Sequence, residues 1–85
     1  MEEYLQRNVV IDVESLFVYV GELQTVSEKN VSLVNADVHD LRDSNTTRER
    51  YVLDTKLHGI RPNRRRVLIG RTQIISISLL DDVLD

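Results

Sequence analysis

The chain lacks several residue types on which common protein classes depend. Its 85 residues include no cysteine and no tryptophan, one proline and three glycines. Without cysteine there is no disulfide framework, no thiolate zinc site and no cysteine nucleophile. No apolar run approaches the roughly 18 residues that a membrane-spanning helix needs, and Met1-Glu2-Glu3 is not the basic start of a signal peptide. We therefore expect a reduced cytoplasmic setting, in a microbe or in a virus that infects one, and no membrane partner.

The sequence also lacks an excess of positive charge. The formal net charge is -3 and the pI is about 5.3, which excludes a simple polybasic nucleic-acid binder. With 41% hydrophobic and 29% charged residues, the composition is that of an ordinary globular protein. Residues 1–85 are expected to form a single domain, because two cores do not fit in this length. A core of this size is marginal alone, so we expect the chain to associate with copies of itself.

The charges that are present are unevenly distributed. Residues 1–60 carry six basic and eleven acidic side chains, residues 61–71 carry five arginines and no acid, and residues 72–85 carry three aspartates. A basic segment on an acidic protein has two interpretations. It is either a solvated loop and edge strand kept soluble by arginine, or a surface that faces phosphate groups. The arginines considered for a phosphate surface are Arg64, Arg65, Arg66 and Arg71.

Alternating and β-branched residues predict five short strands, over residues 9–13, 16–26, 31–41, 65–69 and 73–79. The first half of the second strand is apolar on both faces, which indicates burial on both sides or at a subunit boundary. Gly21 lies inside this strand, where glycine marks a bend or a close backbone approach. In the last strand, Ile75, Ile77 and Leu79 are expected to share one face. The pattern predicts a mainly β fold, a small antiparallel barrel.

Three segments lie outside these strands. Residues 1–8 are expected to form an N-terminal segment with a short helix over residues 2–8. Residues 42–64 are expected to form a variable loop or hairpin, in which residues 48–53 extend the sheet. Residues 81–85 are expected to form an acidic tail.

Two patterns occur in order along the chain. Residues 18–36 read VYVGELQTVSEKNVSLVNA, with Gly21 inside a long strand and Asn30 at the following turn. Residues 67–77 read VLIGRTQIISI. Together they resemble the two motifs of the Sm/LSm family, which includes bacterial Hfq. The resemblance implies an Sm-like, strongly bent five-stranded antiparallel barrel.

The resemblance also implies a binding site. In the family, the loop after the second strand and the loop before the last strand meet at the inner rim of a ring and hold a base of single-stranded RNA. The resemblance implies that the same rim is formed here by Lys29, Asn30, Gly70 and Arg71. The chain differs from the family pattern at Ser27, where Asp is usual, and in the reversed order of Gly70-Arg71. It also has no aromatic residue in the turn.

Assembly is expected to use strand edges. The last strand of one subunit would pair with the long bent strand of its neighbour, closing a homo-oligomeric ring and covering exposed edges. The residues expected at this interface are Phe17, Val18, Tyr19, Ile75 and Ile77.

The leading hypothesis is a ring that binds single-stranded RNA, or DNA, as a scaffold or chaperone in RNA processing. The alternative is a structural or protein-interaction ring without nucleic acid. An enzyme is not expected, because no nucleophile, base and orienting group converge, and no cofactor is implied. Asp37 and His39 share a strand face, but nothing in the sequence fixes His58 near them, so no metal site is predicted.

Overall fold

The computed structural model describes residues 1–43 and 45–85, and its centre is a five-stranded antiparallel sheet. The strands are β1 (Asn8–Val13), β2 (Phe17–Val26), β3 (Asn30–Asp40), β4 (Arg64–Gly70) and β5 (Ile74–Leu79). Their order across the sheet is β4-β3-β2-β1-β5. The predicted fold class is confirmed, and every strand begins and ends within one residue of its predicted position. Alternation over short segments was therefore sufficient to find the strands.

The sheet curls around its main core. Although β4 and β5 are the two outermost strands, Ile69 of β4 and Leu79 of β5 belong to the same buried cluster. Opposite edges share a core only if the sheet bends round upon itself. The cluster takes apolar side chains from all five strands: Val9, Ile11, Val13, Leu23, Val31, Leu33, Ala36, Ile69 and Leu79.

The sharpest bend lies where β2 and β3 cross. A Cβ atom at Gly21 would lie 3.0 Å from both the Cα and the Cβ of Ala36, so this close approach requires glycine. On the opposing strand the register shifts by one residue, and Asn35 adopts a left-handed φ of 49°. This is a β-bulge, which bends a strand and increases its twist. The predicted role of Gly21 is therefore confirmed.

A second core lies on the outer face of the sheet. Val18 and Val20 of β2 point to this face, whereas Leu23 of the same strand points to the main core. Helix α1 (Arg48–His58) covers the outer face through Val52, and the C-terminal turn adds Leu80. The expected burial of β2 on both sides is confirmed. The outer face is covered by helix α1 of the same chain.

The predicted hairpin over residues 42–64 is wrong, because residues 48–53 begin α1. The helix starts at Thr47, whose Oγ1 accepts a hydrogen bond from the Arg50 backbone N–H at 3.2 Å. It ends at Gly59, which has a φ of 92° and donates its N–H to the Thr55 carbonyl at 2.9 Å. The β-favouring pair Tyr51-Val52 suggested a strand, but the two caps and the second core stabilise a helix.

The N-terminal segment is less helical than expected. The predicted helix over residues 2–8 is one 3-10 turn, Glu2–Tyr4. It ends at Leu5, whose ψ of 137° is extended, and Gln6 follows with a φ of 64°, outside the helical region. Two more 3-10 turns, Arg71–Gln73 and Leu80–Asp82, flank β5. Within residues 1–43 and 45–85, no helix has the length and apolar character needed to cross a membrane.

Strand β5 does not alternate as predicted. Its pairing with β1 shifts between Asp12 and Val13, so Ile75 turns outward and is 65% exposed. Ile77 and Leu79 keep their inward orientation and pack on the main core. The prediction that all three side chains share one face is therefore wrong for Ile75, because a bulge interrupts the period of two.

The expected pairing of β5 with β2 of a neighbour is also wrong. Strand β2 is hydrogen bonded to β1 on one edge and to β3 on the other. Val18 is fully buried in the second core, and Phe17 and Tyr19 pack against the main core. Sheet order depends on contacts between distant parts of the chain, which strand periodicity does not record. The strands with a free edge are β4 and β5.

Candidate nucleic-acid interface

Two loops meet at one end of the sheet. The loop between β2 and β3 and the turn between β4 and β5 are joined because Asn30 lies opposite Gly70 across the β3–β4 pair. The backbone N–H of Arg71 also donates to the Lys29 carbonyl at 2.9 Å. The structure thus brings together Lys29, Asn30, Gly70 and Arg71, which we call the rim cluster.

Ser27 closes the loop beside the rim cluster. Its backbone N–H donates to the Asn30 carbonyl at 2.8 Å, and its hydroxyl accepts from the Asn30 N–H at 3.1 Å. Serine hydroxyls commonly stabilise turns in this way. Ser27 thus fixes the backbone of Asn30. The side-chain amide of Asn30 has no hydrogen-bond partner within the described residues.

The two cations of the rim cluster differ in their surroundings. Arg71 Nη1 donates to the Ser27 carbonyl at 2.8 Å, which holds the guanidinium against the loop. Arginine has five N–H donors, so this contact leaves others available for an anion. Lys29 is exposed and forms no ion pair within residues 1–43 and 45–85. Within the described residues, the cluster therefore combines a cation held by a backbone contact, an exposed cation without an ion pair and an amide without a hydrogen-bond partner.

The other predicted arginines lie at the far end of β4. Six residue steps separate Arg64 from Gly70, which corresponds to about 20 Å along a strand. Arg64 Nη1 donates to the Asn63 carbonyl at 2.9 Å. The guanidinium groups of Arg65 and Arg66 have no partner among the described residues. The predicted phosphate surface is therefore divided into two separate groups.

A side-chain network that the sequence did not predict joins α1 and β3. The rings of His39 and Tyr51 stack with centroids 3.9 Å apart and planes 6° from parallel. The Tyr51 hydroxyl donates to Asp37 Oδ2 at 2.5 Å, and Asn63 Nδ2 donates to Asp37 Oδ1 at 3.2 Å. Burial, together with the hydrogen bond to Asp37, raises the pKa of Tyr51, so its phenol stays protonated. The network holds the helix against the sheet.

An open cleft of about 450 Å³ lies beside this network. The cleft is lined by Asp37, His39 and His58, so His58 lies near the other two residues although no sequence pattern predicted this. Asp37 is occupied by hydrogen bonds, and His39 Nε2 is buried without a hydrogen-bond partner. Among the described residues, no group of three carboxylate or imidazole side chains is arranged to hold a metal ion.

The architecture is the Sm-like fold. A Sm protein of Pyrococcus abyssii, solved in complex with a uridine heptamer, is similar to this chain with a TM-score of 0.62. The similarity covers 92% of this chain and 89% of that chain, at 15% sequence identity. No protein-family model matches the chain, and the search of curated proteins finds no match. The likeness at this identity concerns the fold alone.

Proposed function

We propose that this protein is an Sm-like ring subunit that binds single-stranded RNA at the rim cluster, as a scaffold or chaperone and not as an enzyme. The observation that carries the proposal is the convergence of Lys29, Asn30 and Arg71 where two loops meet. The similarity to a Sm protein in complex with a uridine heptamer supports this function and favours uridine-rich RNA as the ligand.

The chemistry of the rim cluster suits a nucleotide. Lys29 and Arg71 supply the charge for phosphate contacts, and Arg71 does so from a fixed position. The amide of Asn30 offers both a donor and an acceptor to the edge of a base. Because the cluster lacks an aromatic side chain for stacking, each subunit should bind weakly. Repetition around a ring then supplies affinity, since linked weak contacts act together.

The two free sheet edges support assembly. An unpaired edge presents unsatisfied backbone groups, which proteins cover or pair. Leu68 on β4 is 61% exposed and Ile75 on β5 is 65% exposed, so each free edge carries a large apolar side chain. Pairing β4 of one copy with β5 of the next would cover both side chains. A head-to-tail contact of this kind generates a ring when its rotation closes.

The second candidate is a structural or protein-interaction ring that does not bind RNA. One observation favours it: a guanidinium N–H of Arg71 is already used by the Ser27 carbonyl. The net charge of -3 would also repel phosphate over most of the surface. Both candidates require the same assembly, so they differ only at the rim cluster.

Fluorescence anisotropy of labelled oligonucleotides separates the two candidates. Uridine-rich, adenosine-rich and duplex probes are titrated with the protein at low and at moderate salt. The proposal predicts that the uridine-rich single strand binds best and that its affinity falls steeply with salt, as counterion release requires. No binding at low salt would contradict it and favour the protein-interaction ring.

Light scattering tests the assembly. Ile75→Asp introduces a charge on the free edge of β5 and is expected to reduce the oligomer to monomers. Leu57→Asp is the matched control, because Leu57 is 55% exposed on α1 and lies away from both free edges. Ile77→Asp is unsuitable, since Ile77 packs on the main core. An Ile75→Asp protein of unchanged mass would contradict assembly through β5.

A further inference from the structure

The two free edges carry opposite charge. Strand β4 begins with Arg64-Arg65-Arg66, all exposed. Strand β5 leads directly into the turn Leu80–Asp82, where Asp81 and Asp82 are exposed. Apart from the Arg64 contact to a backbone carbonyl, these five charged groups have no hydrogen bond or ion pair in the part of the chain that the structure describes. Unpaired arginines on one edge and unpaired aspartates beside the other are complementary.

The direction of edge pairing determines whether these charges meet. If β4 pairs antiparallel with β5 of the next copy and Leu68 lies opposite Ile75, then all of Ile74–Leu79 aligns with β4. In this register Arg64 lies opposite Leu79, and the acidic turn continues just beyond it. Diagonal neighbours on a sheet are about 7–8 Å apart, within reach of long side chains. The arginines of one copy thus lie beside Asp81 and Asp82 of the next.

Parallel pairing gives no such match. It would place the arginines beside the start of β5, where residues 73–76 carry no acid. It would also bring the acidic turn towards Arg71, a single cation whose guanidinium is already in contact with the Ser27 carbonyl. Charge complementarity therefore favours the antiparallel arrangement.

We propose that Arg64, Arg65 and Arg66 of one copy form an ion-pair clasp with Asp81 and Asp82 of the next copy of this chain. This rests on the proposed ring. It assigns the arginines at the start of β4 to recognition between subunits, whereas the rim cluster binds RNA. The predicted phosphate surface therefore divides by function as well as by position.

The clasp also determines which edges pair. Aligned antiparallel pairing of two β4 edges would place Arg64 opposite Gly70, and that of two β5 edges would place Ile74 opposite Leu79. Neither pairing brings the arginines beside an acidic turn, so neither gains from charge complementarity. Only the head-to-tail contact brings opposite charges together, and that contact is the one a ring requires.

Two charge-reversal variants test the clasp by complementation. Variant A carries R65E and R66E, and variant B carries D81R and D82R. In A alone, acidic side chains on β4 face the acidic turn of the next copy, and in B alone, the β4 arginines face an arginine turn. Because like charges then meet at every interface, each variant is expected to be monomeric by light scattering. A chain that carries all four changes brings opposite charges together at every interface, whatever the number of subunits, so this four-change variant is expected to recover the oligomer. R7E with R50E is the control for A, because it changes the net charge equally on exposed residues outside β4. The exposed Arg50–Asp54 pair that it removes contributes little to stability.

Circular dichroism checks that each variant is folded, and the wild-type mass at low and high salt is measured beside them. An unfolded variant is replaced by R65Q with R66Q, which should make the oligomer dissociate at lower protein concentration. A wild-type monomer would overturn the proposed ring itself. A wild-type oligomer whose mass is unchanged in A and B would overturn the clasp and leave the ring standing. Monomeric A and B, together with a folded four-change variant that does not recover the oligomer, would also overturn the clasp.

Discussion

The two ends of the sheet are held together by different kinds of contact. At the rim end, backbone groups join the loops, as in the hydrogen bond from Arg71 N–H to the Lys29 carbonyl. At the opposite end, which we call the insertion end because α1 (Arg48–His58) is inserted there between β3 and β4, side chains make the contacts. An example is the Tyr51 hydrogen bond to Asp37. Where backbone hydrogen bonds hold the loops, the side chains remain available to bind a ligand. Where side chains hold the helix on the sheet, they are not available to bind a ligand.

The insertion end has several such contacts. Arg48 at the start of α1 pairs with Asp12 on β1, and Ser76 on β5 donates to the same carboxylate at 2.8 Å. Near the helix C-terminus, Lys56 Nζ donates to the Val83 carbonyl. Changes at the insertion end should therefore alter stability without altering RNA affinity, and changes at the rim end should do the reverse.

The largest expected effect is that of Tyr51→Ala on stability. The variant loses the stack on His39, the hydrogen bond to Asp37 and part of the second core. Because Tyr51 is only half buried, we expect a loss of about 3 kcal/mol, at the lower end for aromatic truncations. Urea unfolding measures the loss, and anisotropy should show an unchanged affinity for uridine-rich RNA. Tyr51→Phe keeps the ring and should cost only about 1 kcal/mol.

At the rim end, Arg71→Ala is expected to weaken RNA binding about tenfold, because it removes a charge-assisted contact to phosphate. Its salt dependence should also become shallower. Lys29→Ala is the companion variant, since the Lys29 side chain forms no hydrogen bond or ion pair within the described residues, and it should weaken binding with no loss of stability. Unchanged anisotropy titrations for both variants would show that the rim cluster is not the binding site.

A smaller effect is expected at the start of α1. Thr47→Ala removes the N-cap hydrogen bond to the Arg50 N–H and should destabilise the protein by about 1 kcal/mol. Thr47→Ser retains a hydroxyl, so its free energy of unfolding in urea should be close to that of the wild-type protein. RNA affinity is expected to be the same in both variants. A cap variant that changed RNA affinity would contradict the separation between the two ends.

The smallest effect concerns an exposed ion pair near the insertion end. Hydrogen bonds from Arg42 lower the pKa of Asp40 from 3.8 to about 2. Because the folded-state pKa is the lower one, the stabilisation is present above the ordinary value and is lost as the pH falls towards about 2. Exposed pairs contribute little. Thermal unfolding across this pH window should show a slightly weaker pH dependence in Asp40→Asn, and an identical dependence would exclude the contribution.

The sequence predicted most of the sheet because strands depend on local alternation. The resemblance to the Sm/LSm motifs implied that Lys29, Asn30, Gly70 and Arg71 lie together, and the structure brings their two loops into contact. The double-sided apolar pattern of β2 correctly indicated a second buried face. The pattern did not say what covers that face, because the covering element, α1, lies far away in sequence.

The errors had two physical causes. Tyr51 and Val52 favour strands locally, but capping at Thr47 and packing on the second core stabilise a helix there. The available signals were Thr47 as a cap, Gly59 as a stop, and the spacing of Arg50 and Asp54, which pair at 3.2 Å. The strand order and the outward turn of Ile75 depend on long-range pairing and a bulge, which no local pattern reports.

The most direct test of RNA binding at the rim end is photocrosslinking of a uridine-rich oligonucleotide containing 4-thiouridine, followed by mass spectrometry of the attached peptides. We expect crosslinks to the loop that contains Lys29 and Asn30 and to the turn after Gly70. We expect none to Arg64–Arg66, which form the clasp, and none to α1. Crosslinks concentrated at the start of β4 or on the helix would contradict the assignment of RNA binding to the rim end.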